Sequence, residues 1–286
     1  MNKSMGIILP IVLFLLFSCV PAQQKENEPK DANFYVDRGI AYEKKGQFDE
    51  AISDFTRAIE KTDPKLAFAY AKRGIAYSRK GQYDQAIADY NKAIEIDPSY
   101  ASDYTNRGNA YGAKGQYDQA IADYNKAIEI DPKYASAFSN RGVTYQRKGQ
   151  YEQAIADYSK AVEIDPKLAS AYYNRGIAYG GKGQYGLAIA DYTKAIEIDP
   201  RLASAYYNRG VAYYRKGKYN QAIADYNKAI EINPELALAY YTRGCAYYLK
   251  KEYDKSWQDV TKAQNLGYQI PPKFLEDLKK ASGKQN

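Results

Sequence analysis

An Arg-Gly pair recurs along this chain, and its glycines, Gly39, Gly74, Gly108, Gly142, Gly176, Gly210 and Gly244, fall 35, 34, 34, 34, 34 and 34 residues apart. A fixed period of this length means one supersecondary unit repeated, each copy burying its apolar face against the next. The one extra residue falls in the segment Glu60 to Pro64. Length alone, 286 residues, would suggest about two ordinary globular domains, but the repetition overrides that reading.

The unit can be read from its physics. In the third copy Tyr104, Gly108 and Tyr111 lie on one helical face, and Tyr117, Ala120, Ile121, Tyr124, Ala127 and Ile128 form a second helical apolar stripe. Between them Gly115 can take the left-handed conformation that ends the first helix, and Asp131-Pro132 ends the second and can start the next. The chain therefore reads as a helical hairpin repeated seven times. Gly108 and Ala120 are small enough for paired helices to approach closely. The 32 tyrosines, against a single tryptophan, Trp257, imply a repeated aromatic slot between hairpins. An arginine precedes each glycine and an aspartate lies 16 residues after it, from Arg38 and Asp54 to Arg243 and Asp259. These predict ion pairs tying the two helices of each hairpin; the rival reading is a ligand-facing stripe of unpaired arginines.

Each unit reads close to Ala-x-Ala-Tyr-x-x-Arg-Gly-x-Ala-Tyr, then Lys-Gly-Gln-Tyr-x-x-Ala-Ile-x-Asp-Tyr-x-Lys-Ala-Ile-Glu-Ile-Asp-Pro. This resembles the tetratricopeptide repeat over residues 32–265. The resemblance implies an all-α, right-handed superhelical solenoid of tandem helix-turn-helix units whose first helices line a concave face, where ligands, usually peptides, lie. The expected repeats are 32–66, 67–100, 101–134, 135–168, 169–202, 203–236 and 237–270. The seventh drifts from the pattern at Ser256, Trp257 and Val260. Residues 271–281 follow with Phe274, Leu275, Leu278 and Ala281 opposite Lys273, Glu276, Lys279 and Lys280, which predicts a helix capping the exposed end of the stack. Residues 282–286 read as a disordered tail.

The start of the chain is different. Lys3 precedes an apolar run from Gly6 to Phe17, as a secretory leader requires, and that run is too short for a stable membrane span. It ends Leu16-Phe17-Ser18-Cys19, which resembles the bacterial lipobox, where the cysteine is lipidated and becomes the mature N-terminus. The expectation is a signal peptide over 1–18, lipidation at Cys19 and a polar tether over 19–31. Cleavage after Val20-Pro21-Ala22 is the alternative, disfavoured by Pro21. Val20 after the cysteine resembles the outer-membrane sorting class, so the expected location is the bacterial cell envelope, at the outer membrane and facing the periplasm.

Candidate ligand contacts lie on the first helices. Two residues before the glycines stand Asp37, Lys72, Asn106, Asn140, Asn174, Asn208 and Thr242. Asn106, Asn140, Asn174 and Asn208 would form a ladder of amides able to bond an extended peptide backbone. This resembles the asparagine ladder of the O-linked N-acetylglucosamine transferases, without their transferase domain. The same residues could instead simply face water. Tyr173, Tyr207 and Tyr241, with Tyr214, Tyr248 and Arg215, add an aromatic and cationic rim in repeats five to seven. The alternative is that these tyrosines pack neighbouring helices. Ala71, Thr105, Ser139, Gly112 and Gly180 make the earlier groove smoother.

Composition excludes much else. Histidine is absent, which removes imidazole bases and imidazole metal ligands. Cys19 and Cys245 imply no disulfide framework, and Cys245 reads as a small buried apolar residue. The net charge of +7 is interspersed with 34 acidic residues, an arrangement that does not favour nucleic acid. Gly176-x4-Gly181-Lys182 imitates a phosphate loop, but Gly183 replaces the hydroxyl residue and no strand precedes it. The expectation is a scaffold and not an enzyme, with no cofactor, no metal and no catalytic residue, binding a protein or peptide. Such lipoproteins include adaptors for cell-wall hydrolases, pilotins for secretin assembly and components of outer-membrane barrel assembly. The alternatives are a self-associating structural protein and the recognition subunit of an envelope enzyme.

Overall fold

A computed structural model describes residues 31–61 and 67–283. The leader, Cys19 and most of the expected tether lie outside the described residues. Within them the chain forms helices and no strand. They pair as hairpins α1 (Ala32–Lys44) with α2 (Phe48–Lys61), α3 (Ala67–Arg79) with α4 (Tyr83–Ile96), α5 (Ala101–Ala113) with α6 (Tyr117–Ile130), α7 (Ala135–Arg147) with α8 (Tyr151–Ile164), α9 (Ala169–Gly181) with α10 (Tyr185–Ile198), α11 (Ala203–Arg215) with α12 (Tyr219–Ile232), and α13 (Ala237–Leu249) with α14 (Tyr253–Asn265). A last helix, α15 (Pro272–Ser282), follows. The architecture is the right-handed solenoid expected.

The turn inside each hairpin needs a left-handed residue. Gly46, Gly81, Gly115, Gly149, Gly183 and Gly217 supply it, with φ between 72° and 76°. In the seventh hairpin the slot is held by Lys251, at φ 61°, a conformation that costs a residue with a Cβ roughly 1–2 kcal/mol. The turn between hairpins is shaped by a side chain. Asp131 Oδ1 accepts the backbone N–H of Lys133 at 2.9 Å, and Asp97, Asp165, Asp199 and Asn233 do the same two residues on.

Inside a hairpin the helices meet at the Arg-Gly motif. A Cβ on Gly142 would lie 2.8 Å from the Tyr158 ring, and the same holds for Gly74 against Tyr90, Gly176 against Tyr192 and their counterparts. Glycine there lets a whole aromatic ring press on the backbone of the first helix. Tyr90, Tyr158 and Tyr226 are accordingly sealed, as are alanines such as Ala86, Ala120 and Ala154. In the seventh hairpin the ring is replaced by Val260, which packs on Gly244.

Successive first helices touch one another, α1 with α3, α3 with α5, and so on to α13, while the main contacts of a second helix such as α2 are with its chain neighbours, α1 and α3. The stack therefore curves with its first helices on the inner, concave side. Its far end is closed by α15, whose Leu278 is sealed with Val260, Ala263 and Ile270 beneath Trp257 and Phe274. Ser282, expected in the tail, is the last residue of this helix. It accepts the Trp257 indole N–H at 3.0 Å, and Gly283 ends the helix at φ 69°. That bond and the left-handed glycine let the helix run one residue past the 281 that periodicity suggests.

Candidate functional site

Every expected Arg–Asp pair forms. In each of the seven hairpins the arginine Nε and one terminal nitrogen donate to the two oxygens of the aspartate 16 residues on, as in Arg141 Nε to Asp157 Oδ2 at 2.8 Å and Nη2 to Oδ1 at 2.6 Å. The aspartates are buried. A bidentate fork on a buried carboxylate is a strong, geometrically specific bond, and these hydrogen bonds raise the arginine pKa values from Arg38 to Arg209. The stripe is thus structural.

The third arginine nitrogen does something the sequence reading missed. Arg107 Nη1 donates to Asn91, Arg141 to Asn125 at 2.5 Å and Arg243 to Asn227, while Arg73, Arg175 and Arg209 reach Thr56, Ser159 and Thr193. Each acceptor sits on the second helix of the preceding hairpin. One guanidinium therefore ties both helices of its own hairpin and the hairpin before it. The signal was present in sequence, a hydroxyl or amide two residues after each aspartate, but only the stacking shows what it faces.

The asparagine ladder lies along the concave face, and its members are half-exposed. Asn140 Nδ2 donates to Asn109 Oδ1 at 3.0 Å, and Asn208 Nδ2 donates to the Tyr173 hydroxyl at 3.0 Å. Asn106 and Asn174 make no side-chain hydrogen bond among the described residues. Half of the ladder is thus held in place by neighbouring side chains and half is not.

The aromatic rim is shared between surface and packing. Tyr173 lies 6.0 Å from Tyr192 and Tyr207 lies 5.9 Å from Tyr226, each against the core ring of its own hairpin. Tyr214 meets Tyr219 edge-on. Tyr241 stacks on Tyr268 at 4.9 Å and meets Phe274, and Tyr248 meets both Tyr253 and Phe274. Tyr241 and Tyr248 therefore also serve the contact with α15. Burial pushes the Tyr207 hydroxyl up to about 12. Arg215 is exposed without an ion pair among the described residues, and with Asn208, Val211 and Tyr185 it borders a cavity of about 450 Å³. Nearby, burial pushes the half-buried Cys245 thiol up to about 11, which keeps it an unreactive thiol near neutral pH.

A larger cavity, about 710 Å³, opens between α3 and α5, where the sequence reading expected the smoother part of the groove. Ala71 and Lys72 on α3 and Asn106 on α5, all groove positions, line it together with Phe68, Ile96, Tyr100 and Asp103. Small Ala71 stands where repeats five to seven carry Tyr173, Tyr207 and Tyr241. A third, of about 190 Å³, borders Asn140 and Arg147. No group of three or more His, Cys, Asp or Glu side chains among the described residues is placed to hold a metal ion.

Comparison with known families matches a model described as TPR repeat over residues 78–115, 108–149, 146–183 and 181–217, and models described as tetratricopeptide repeat over 203–236 and 32–63. Comparison with curated proteins finds no match. Among solved structures, a tetratricopeptide repeat protein from Parabacteroides merdae is 23% identical, with a TM-score of 0.62 over 88% of this chain and 99% of the other. YrrB, described as a TPR protein with an unusual peptide-binding site, is 30% identical, with a TM-score of 0.53 over 66% of this chain and 97% of its own. MamA is also 30% identical, with a TM-score of 0.52 over 58% of this chain and 96% of its own.

Proposed function

The chain belongs to the tetratricopeptide repeat family, and on that premise we propose that it is a scaffold that holds a peptide or protein partner in the concave groove of its solenoid, anchored to a membrane through lipid on Cys19. The observation that carries the groove reading is the row of half-exposed amides at one register of successive first helices, with cavities opening beside Asn106, Asn140 and Asn208. Amides at this spacing suit an extended backbone, because each offers a donor and an acceptor. Likeness to YrrB, a protein with a peptide-binding site, supports the same reading. The buried aspartates that recur in every repeat are held by arginines and so serve the scaffold in this reading.

The anchoring proposal rests on Lys3, the apolar run and Leu16-Phe17-Ser18-Cys19. No helix among the described residues is long and apolar enough to cross a membrane, so attachment in this reading falls to the lipid. A scaffold tethered in this way at the outer membrane would gather partners in the cell envelope, as an adaptor in assembly. Mass spectrometry of the mature N-terminus tests the anchor: acyl chains on Cys19, lost in Cys19→Ala, are expected, and an unmodified terminus at Gln23 would overturn it. The groove is tested by capturing partners from a membrane extract with residues 23–286 and with the same segment carrying Asn106, Asn140, Asn174 and Asn208 changed to alanine. Loss of partners from the helical variant alone is expected. Equal capture by both would move recognition to another face.

A further inference from the structure

One side chain breaks the repeat where no hairpin needs it to. Five residues before the motif glycine stand Ala69, Ala137, Ala171, Ala205 and Ala239, all with no exposed surface, and Phe34 in the first repeat. The third repeat places Asp103 in that slot, 6% exposed. A carboxylate where its counterparts have a methyl group is costly unless something meets its charge. Its hydrogen bond is to the Ser102 hydroxyl at 3.3 Å, and among the described residues no basic group lies within ion-pairing distance. The seven repeat aspartates that hold arginines show what satisfaction looks like in this protein; Asp103 lacks it.

The cavity of about 710 Å³ between α3 and α5 is where Asp103 opens. Phe68, half-exposed, and Tyr100, more exposed still, flank it, and Ala71, Ile75 and Ile96 make its walls apolar. The Phe68 ring can carry a cation, since the Lys72 ammonium lies 5.3 Å from its centroid. Asp97, on the same rim, stays ionised because Ser99 donates its hydroxyl and backbone N–H to it. Two carboxylates against one lysine leave the lining with net negative charge. An apolar shaft, aromatic faces and a carboxylate at depth match a basic side chain, whose methylene stem and charged head want opposite surroundings.

We propose that this cavity receives a lysine or arginine side chain of an extended peptide laid in the groove, with Asp103 as its counter-ion. The inference rests on the groove reading and adds the chemistry of the partner: a basic residue facing repeats two and three. Asn106, one turn from Asp103 on α5 and free of other side-chain bonds, then holds the peptide backbone beside that residue. In the empty protein Asp103 is a cost, since its burial raises the pKa of its carboxyl, and the ligand's charge relieves it.

The test titrates the isotope-labelled full chain with n-butylguanidinium chloride, the arginine head and stem alone, and follows backbone amide signals. Sodium butyrate and n-pentanol serve as anionic and uncharged aliphatic probes. Expected are saturable shifts at Ala71, Lys72, Ser102 and Asn106 with the guanidinium, weakened about tenfold or more in Asp103→Asn and Asp103→Ala. Asp103→Ala restores the alanine of the other repeats, so it is expected to melt higher than the parent while losing the ligand, a combination that a purely structural aspartate would not show. Equal affinity in Asp103→Asn, preference for butyrate, or no saturable shift at these amides would overturn the inference. Should that happen while the asparagine variant still loses its partners, the groove reading stands and this pocket falls alone.

Discussion

Arginine 141 offers the sharpest test of what binds hairpin to hairpin. Its fork holds Asp157, whose side chain is 8% exposed, its third nitrogen holds Asn125, and its guanidinium lies 5.5 Å from the Phe138 ring centroid. Arg141→Met keeps the stem and removes all three. The carboxylate is then buried without its cation, which costs about 3–5 kcal/mol, and the lost bond to Asn125 adds about 1 kcal/mol. Asp157→Leu is expected to cost less, about 2–3 kcal/mol, since Arg141 is 18% exposed and can swing its charge toward water. In the double variant neither charge remains, and an apolar pair of similar volume should bring the cost back to about 1–2 kcal/mol. The assay is a double-mutant cycle by urea unfolding, with hydrogen exchange of α7 and α8 beside it, because a stack of repeats opens locally before it unfolds as a whole. Arg141→Met costing under about 1 kcal/mol, or a double variant as costly as the two single ones summed, would refute the reasoning.

Gly176→Ala forces a Cβ to 2.7 Å from the Tyr192 ring; overpacking of about 1–3 kcal/mol should outweigh the roughly 1 kcal/mol of helix propensity gained, seen as a lower melting temperature. Lys251→Gly relieves the left-handed lysine at φ 61° and should stabilise the last hairpin by about 1 kcal/mol, read by urea unfolding. Asp103→Ala should stabilise by about 1–3 kcal/mol at neutral pH. Because the Asp103 pKa is raised in the folded state, folding takes up a proton, so the parent regains stability as pH falls through that raised value. The advantage of the alanine variant should therefore shrink toward pH ~4 and vanish below the ordinary aspartate range, as melting curves across acid pH would show. Removing residues 271–286 bares Val260, Ala263 and Trp257 and should cause self-association in sedimentation; an unchanged monomer would count against α15 as the cap.

The repeat, the two helices of each unit, the glycine turns and the arginine–aspartate partners were legible in the chain because each is a local pattern copied at fixed spacing. Position 16 residues on from an arginine is one helix away in a hairpin, so sequence distance stood in for spatial distance. The candidate site was less legible. Asn106, Asn140, Asn174 and Asn208 could be aligned on one register, yet nothing in that register says that Asn140 is held by Asn109 and Asn208 by Tyr173 while their alternates stay open. Tyr241 and Tyr248 looked like a rim, and α15 makes them part of its own seat. Asp103 was visible as a departure from alanine, but only burial gives the departure a cost.

Sequence alone therefore determined the solenoid, since a single hairpin cannot hide its apolar stripe and a run of equal ones can do so only by stacking. The stack itself decided what lies between the hairpins. The third nitrogen of the arginines from Arg73 to Arg243, the cavity beside Ala71 and the burial of Asp103 each depend on side chains from separate repeats meeting at a curvature that the packing of whole helices sets.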